Sequence, residues 1–495
     1  MRPNTILFAT AFATSLVTSC VTGGDLDELD EAEADLWLDE EPDDSLLPLT
    51  ADLAAACPVS NTSINRSLVV TDASALAKVP FATVMNRIKA TANVATTQTN
   101  AAVFQSWMKT FGATAAAGDC NDTNIDPQRY GLVCPRPAEA KLATINPFAA
   151  ASAVTFKPVG LFNRFDLAPS NGANCGEYRI VYAMSSTNPN IGGRGFIIFE
   201  ATLPNPTPAA GIAACLPVAR FWQDLTADAN ATSRASKLEK FYLLGTAIPG
   251  FGAVVKAQNY GFANGVTAAH GTGQVRTNMF IDFAEWHLRE FKLRRTCTNS
   301  ADVATCKLAF SHVTVKTNPA NELFTGTHAQ SAAFRTSFAA QVAALIRPNV
   351  ATLAMSTPNQ FNEFESVSQR LDVNYAGLAN AALRTAIQGS LTTLNSTLTV
   401  NNVLARATTQ TCAGCHQVSN GAALGGGLTW PSSLTFVQID ETSALSPALT
   451  TKFLPRRKAV LESFINNRCA PAALAAMGNP DDGLTIGGSP VGAAN

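Results

Sequence analysis

The stretch TTQTCAGCHQ places Cys412 and Cys415 three positions apart, with His416 directly after them. Eleven cysteines and five histidines in 495 residues would give roughly 0.002 such arrangements by chance. Two thiols on one turn can form thioether bonds to the two vinyl groups of haem, and the next residue can present its imidazole to the iron. The spacing therefore names Cys412 and Cys415 as attachment residues for one covalent haem c, and His416 as the proximal iron ligand. Other chemistries compete for the same residues. Zinc needs four ligands, and the sequence holds no second Cys-x-x-Cys or His pair to complete a site. A thioredoxin-like redox pair needs a βαβ setting, whereas helical patterns flank this one. A structural disulfide beside a bystander histidine is the bland alternative.

The flanks would have to position the motif. VNNVLARATTQ reads as a short helix running into it, and in RKAVLESFINN the residues Val460, Leu461, Phe464 and Ile465 form a helical stripe. Between them, Gly425, Gly426 and Gly427 would let backbone approach a flat ring closely. Leu424, Leu428, Trp430, Leu434 and Phe436 could wall a dry pocket, and would serve any core equally well.

With these flanks, residues 396–480 resemble a class I-type c cytochrome domain. The resemblance implies a helix before the motif, a loop around the haem and a C-terminal helix packed on the first. It implies a backbone carbonyl near a proline holding the outer nitrogen of the proximal histidine, and Pro431 marks that loop. It also implies a methionine as sixth ligand, and Met477, 61 residues beyond His416, is the matching candidate. Met355, His270, His312 and His328 are alternatives, as is an open iron position of peroxidase-like or gas-binding type.

The chain begins MRPNTILFATAFATSLVTSC, a short positive region followed by an apolar run too short to span a bilayer. Residues 1–19 read as a signal peptide. Val17-Thr18-Ser19-Cys20 resembles the lipobox of bacterial lipoproteins, which implies acylation of Cys20 and a membrane-anchored, exported protein in the periplasm or at the cell surface. Residues 25–45 carry 12 acids and no Lys or Arg, so residues 20–50 read as a solvated tether. Without that block and Arg2, the body holds 34 basic against 25 acidic residues. This mild excess comes with no nucleic-acid motif; it suits an anionic lipid surface or an acidic redox partner.

The expected fold class is α+β: an antiparallel-sheet-containing domain over residues 51–320, a helical connector over 321–395, the mainly helical cytochrome c-like domain over 396–480 and a loose tail over 481–495. CGEYRIVYAMS alternates, with Tyr178, Ile180 and Tyr182 on one face and Glu177, Arg179 and Val181 on the other. RGFIIFEATLP follows as its antiparallel partner, and QVRTNMFIDF, WHLREFKLRR and CKLAFSHVTVKT read as further strands. Eight cysteines remain after Cys20 and the motif are set aside, an even number that points to disulfides in an exported chain. Short loops favour Cys120–Cys134 and Cys297–Cys306; Cys175–Cys215 would join neighbouring strands, and Cys57–Cys469 is left by elimination.

Other candidate sites are weaker. His287 and Glu290 have the His-x-x-Glu spacing of zinc carboxypeptidases, but positions three apart on a strand face opposite sides. Arg164 with Asp166, and Glu177 with Arg179, read as strand-face ion pairs rather than catalytic groups. NRFDLAP, CGEYRIVYA, GQVRTNMF and CAGCHQ…GGGLTWP together resemble a set of exported bacterial proteins with no assigned activity, which supports the layout and transfers no catalytic residue. The reading is an exported mono-haem carrier that exchanges single electrons with a partner protein. Its rivals are a non-haem binding lipoprotein with Cys412 and Cys415 bridged, and a haem peroxidase-like enzyme.

Overall fold

Alternation along CGEYRIVYAMS builds the central strand of the molecule. In the computed structural model, which describes residue 59 and residues 61–112, 135–283, 285–368 and 374–468, this strand is β3 (Asn174–Ser186). It pairs antiparallel with β2 (Val154–Arg164) and β4 (Gly193–Pro204). Among the described residues nine strands form one sheet, in the order β1 (Val69–Val70), β2, β3, β4, β6 (Gln274–Ile281), β7 (His287–Cys297) and β5 (Ala263–Asn264). β8 (Cys306–Val313) and β9 (Ser366–Val367) also pair with β7, and β5 runs parallel to it. The sheet is thus mixed, and the fold is mixed α and β. A separate cytochrome c-like C-terminal unit is not evident in this architecture, because one continuous core joins Tyr178 and Phe199 of the sheet to Cys415, Trp430, Val437 and Phe464.

The two sheet faces are covered by different parts of the chain. Tyr178, Ile180 and Tyr182 face helices from the first half. These are α1 (Phe81–Ala92), α2 (Asn100–Lys109), α3 (Leu216–Asp224) and α4 (Ala231–Glu239). Tyr178 stacks on Trp222, Tyr182 donates its hydroxyl to the Val79 carbonyl at 2.7 Å, and Trp107 stacks on Phe310 with ring centroids 4.0 Å apart. The opposite face meets the C-terminal segment. A Cβ at Gly160 would lie 2.8 Å from Ile439, Arg194 pairs with Glu441, and Phe165 meets Phe464 of α8 (Leu454–Asn466).

The helical stretch after the sheet contains α5 (Ser331–Ala340), α6 (Ala381–Thr393) and α7 (Val400–Thr408). They build a second core around Phe324, Phe334, Phe338, Ile387 and Leu404. A capping box at Thr399 and Asn402 starts α7 and fixes where the chain enters the motif.

Two of the expected disulfides are formed. Cys297–Cys306 bridges residues directly opposite one another in the β7–β8 pair. Cys175–Cys215 ties the start of β3 to the turn before α3, rather than joining two strands. Cys120, Cys134, Cys57 and Cys469 lie outside the described residues. Close to the last two in sequence, the Asn466 side chain exchanges hydrogen bonds with the Val59 backbone at 2.7 and 2.8 Å. No described helix is long and apolar enough to cross a membrane.

Candidate functional site

The motif lies just beyond α7, in a tight turn of backbone. Thr411 donates its hydroxyl to the Thr408 carbonyl, and the Gly414 amide donates to Thr411 Oγ1, both at 2.9 Å. Gly414 can be nothing larger, since a Cβ there would lie 1.7 Å from the Thr408 carbonyl oxygen. Gly414–Val418 then forms one wide helical turn that carries Cys415 and His416.

All three motif side chains are buried, and neither Cys412 nor Cys415 is in a disulfide, unlike in the disulfide alternative. Cys412 packs with Leu288 of β7 and with Val315. The next amide, Ala413, donates to Ser366 Oγ at 3.1 Å, and Ser366 is the β9 residue paired with Leu288. Cys415 lies beside Gln438, whose amide nitrogen is 3.3 Å from the Cys415 carbonyl and 3.7 Å from its sulfur. Burial pushes the Cys412 thiol up to about 11, so it stands as a neutral thiol at pH 7.

His416 Nδ1 lies 2.7 Å from the Phe436 carbonyl. A carbonyl only accepts, so Nδ1 carries the proton and Nε2 presents its lone pair. Burial holds the imidazole down at about 4. It is therefore neutral at pH 7, the form that binds metals. No hydrogen bond engages Nε2 among the described residues. The same Phe436 carbonyl accepts from Asn278 Nδ2 of β6 at 3.0 Å, which locks the loop to the sheet. Thr435 and Phe436 both adopt positive φ, 49° and 68°, a strained turn that aims this carbonyl at the ring. Ser433 closes the arrangement by donating to the His416 carbonyl and accepting from Asn420.

Beneath the motif, the sheet face carries charge. Arg276 Nε and Nη2 donate to Glu290 Oε2 at 3.0 and 2.9 Å, and its Nη1 reaches Glu200 at 3.0 Å. Arg179 bridges Glu200 at 3.0 Å and Glu177 at 2.8 Å. Arg164 chelates Asp166, and Arg457 of α8 lies 3.8 Å from the same carboxylate. Burial alone would raise the Asp166 and Glu177 carboxyls; Arg164 beside the first and Arg179 beside the second hold them below the usual range. Glu290 Oε1 and Gln274 Oε1 are buried without a hydrogen bond among the described residues.

The remaining sequence candidates are dispersed. His287 lies on the helix-covered face against Phe111, 2.7 Å from Glu365, while Glu290 points the other way to Arg276, so the His-x-x-Glu pair does not converge. His312 sits opposite Phe291, whose ring meets Trp107, and is thus on the face away from the motif. Met355 is buried in the second core, His270 bonds Gly261 and Arg294, and His328 accepts from the Gln330 amide. Met477 and Cys20 lie outside the described residues. Gly425, Gly426 and Gly427 all have positive φ and form the turn between β10 (Ala423–Gly425) and β11 (Leu428–Thr429). What Gly425 approaches is Asn402 of α7, and Arg406 clamps the hairpin through the Leu424 and Gly425 carbonyls.

No family model matches the chain, and no curated protein or solved structure is similar to it. Among the described residues no cluster of three or more His, Cys, Asp and Glu is placed to hold a metal ion. The donor set at the motif is instead two unbridged thiols and one oriented neutral imidazole. That set fits a haem attached through its edge and ligated on one axis.

Sequence reasoning missed the sheet's share of this site. Asn278, Arg276, Glu290 and Glu200 stand at alternate positions of strands readable as strands. Their approach to residues more than 100 positions away left no local signal.

Proposed function

We propose that the chain is an exported, lipid-anchored mono-haem c-type protein that passes single electrons to a partner protein. The observation that carries this reading is the His416–Phe436 hydrogen bond. It fixes the tautomer that leaves Nε2 for iron, directly beside two thiols kept out of a disulfide. Each thiol would add its S–H across a vinyl C=C of the ring, a step that consumes no oxidant and releases no leaving group. When bound, the haem supplies one-electron chemistry. The residues of this chain hold the imidazole neutral, orient it through Phe436 and Asn278, and exclude water with the Val437, Ile439 and Trp430 wall. The finer architecture belongs to the same proposal: residues 396–480 as a cytochrome c-like unit, modified by docking on the sheet.

The test is expression with haem-attachment machinery, followed by denaturing electrophoresis. Haem staining of the full-length band is expected, and Cys412→Ala with Cys415→Ala should abolish it. A colourless band of apo mass from the parent chain would sink the reading. Unchanged reduced spectra with and without carbon monoxide would further favour a carrier over an open-iron peroxidase.

A further inference from the structure

The sheet face under the motif is more polar than a docking surface needs. We propose that the buried array of Arg179, Glu200, Arg276 and Glu290 is the inner wall of the haem site, and sets the reduction potential of its iron. The inference rests on the haem reading. It deepens it by giving the large N-terminal part of the chain a role in the redox centre itself.

Three contacts place the motif over these strands. Cys412 packs on Leu288, which is paired with Asn278 across β6 and β7. Asn278 shares the Phe436 carbonyl with His416. Ala413 is tied to Ser366, the other neighbour of Leu288. Arg276 and Glu290 are the next residues along on that face, two positions from Asn278 and Leu288, and they pair with each other.

The chemistry follows from placement. Glu200 is fully buried and serves two guanidiniums at once, while Glu290 has one oxygen engaged and one without a donor. Charges this deep are weakly screened, so each acts on a neighbouring iron almost undiminished by salt. A structural role alone requires no such polarity, because apolar residues of equal volume often hold a sheet as well or better.

Potentiometric titration of the full-length haem-bound protein tests the idea. Glu200→Gln and Glu290→Gln each remove a negative charge and leave arginines that cannot deprotonate, so both should favour the reduced iron. A tenfold change in the redox equilibrium, about 59 mV for one electron, is the expected size. Arg276→Gln should move the potential the opposite way. Glu139→Gln removes an equally buried carboxylate paired with Arg136 away from the motif, and should leave the potential where it was. Opposite signs for Glu290→Gln and Arg276→Gln, with a silent Glu139→Gln, support the proposal. If Arg276→Gln does not accumulate, the upward shift in both glutamine variants against the silent control carries it. Haem-loaded variants whose potentials stay put, or all drift together, would overturn this inference alone. A parent chain that takes up no covalent haem would overturn the haem reading and this inference with it.

Discussion

The two faces of the sheet solve burial in opposite ways. The helix-covered face is built from rings: Phe81 contacts Phe104, Phe148, Phe156, Tyr182 and Phe199, and Trp107 lies flat on Phe310. The face under the motif is built from paired charge, with Arg164, Arg179, Arg276 and Arg457 set against Asp166, Glu177, Glu200 and Glu290. Rings gain stability from area and shape. Buried ions gain little beyond their desolvation cost. The two faces should therefore respond differently when their pairs are replaced by apolar volume.

Substitution should expose that difference. Trp107→Ala opens a cavity between two packed rings and should cost about 4 kcal/mol in urea denaturation, with no second substitution restoring it. On the other face, Glu290→Leu alone takes two of Arg276's three hydrogen bonds and leaves it only Glu200, and should cost about 3 kcal/mol. Adding Arg276→Met to that variant should recover most of the loss, because the pair is replaced by apolar volume. A double variant no better than the single would show that the array is there for stability after all.

How legible each face was in the sequence follows the same divide. Alternation in CGEYRIVYAMS marked β3 and sorted its residues correctly between faces, and RGFIIFEATLP was read as its antiparallel partner, which is β4. β2 escaped notice, because Pro158 and Gly160 shift its register by a bulge and break the alternation. Pro455 stands in the first turn of α8, directly after the wide turn Leu449–Phe453, and the chain winds on through it. Within the expected helical connector, the chain turns at Gln341 between α5 and a short helical piece, Val342–Leu345. In the site, Cys412, Cys415 and His416 were legible as side chains. Phe436 was not, since its contribution is a carbonyl that every residue owns; it lies five residues beyond Pro431.

Acid should reach the buried histidines before the paired carboxylates. Burial holds His287 down at about 4, against an ordinary value near 6.5. The folded value is the lower one, so as pH falls below 6.5 the unfolded chain takes up the proton first. Stability is then lost between about pH 6.5 and 4, and the loss from pH 7 to 5 is about 2 kcal/mol for this residue. Its partner Glu365 would be raised by burial, but His287 and Arg289 hold it down at about 2. That carboxylate, like Asp166 and Glu177, gives up its share only below the ordinary carboxylate range near 4.5. Urea midpoints between pH 7 and 5 should therefore fall in the parent and fall less in His287→Gln. An equal fall in both would place the early acid sensitivity elsewhere.

The smallest effect sits where the two kinds of packing meet. Arg194 of β4 makes two bonds to Glu441, at 2.6 and 2.8 Å, donates to the Thr435 carbonyl at 3.2 Å, and lies 5.4 Å from the centre of the Trp286 ring. The pair is partly exposed, 27% and 33%, so solvent screens it and its coupling should be no more than about 1 kcal/mol in a double-mutant cycle. Glu441→Gln should then cost about 0.5 kcal/mol, and Arg194→Ala about twice that, since it also uncovers Trp286 and drops Thr435. Trp286 stacks on Phe436, the residue whose carbonyl holds His416. Loss of Arg194 should thus loosen residues 431–441 before it unfolds the sheet, and amide exchange would show it as faster opening of that loop against unchanged β3 and β4. Equal acceleration in loop and sheet would mean that Arg194 supports the fold as a whole rather than the seat of the imidazole.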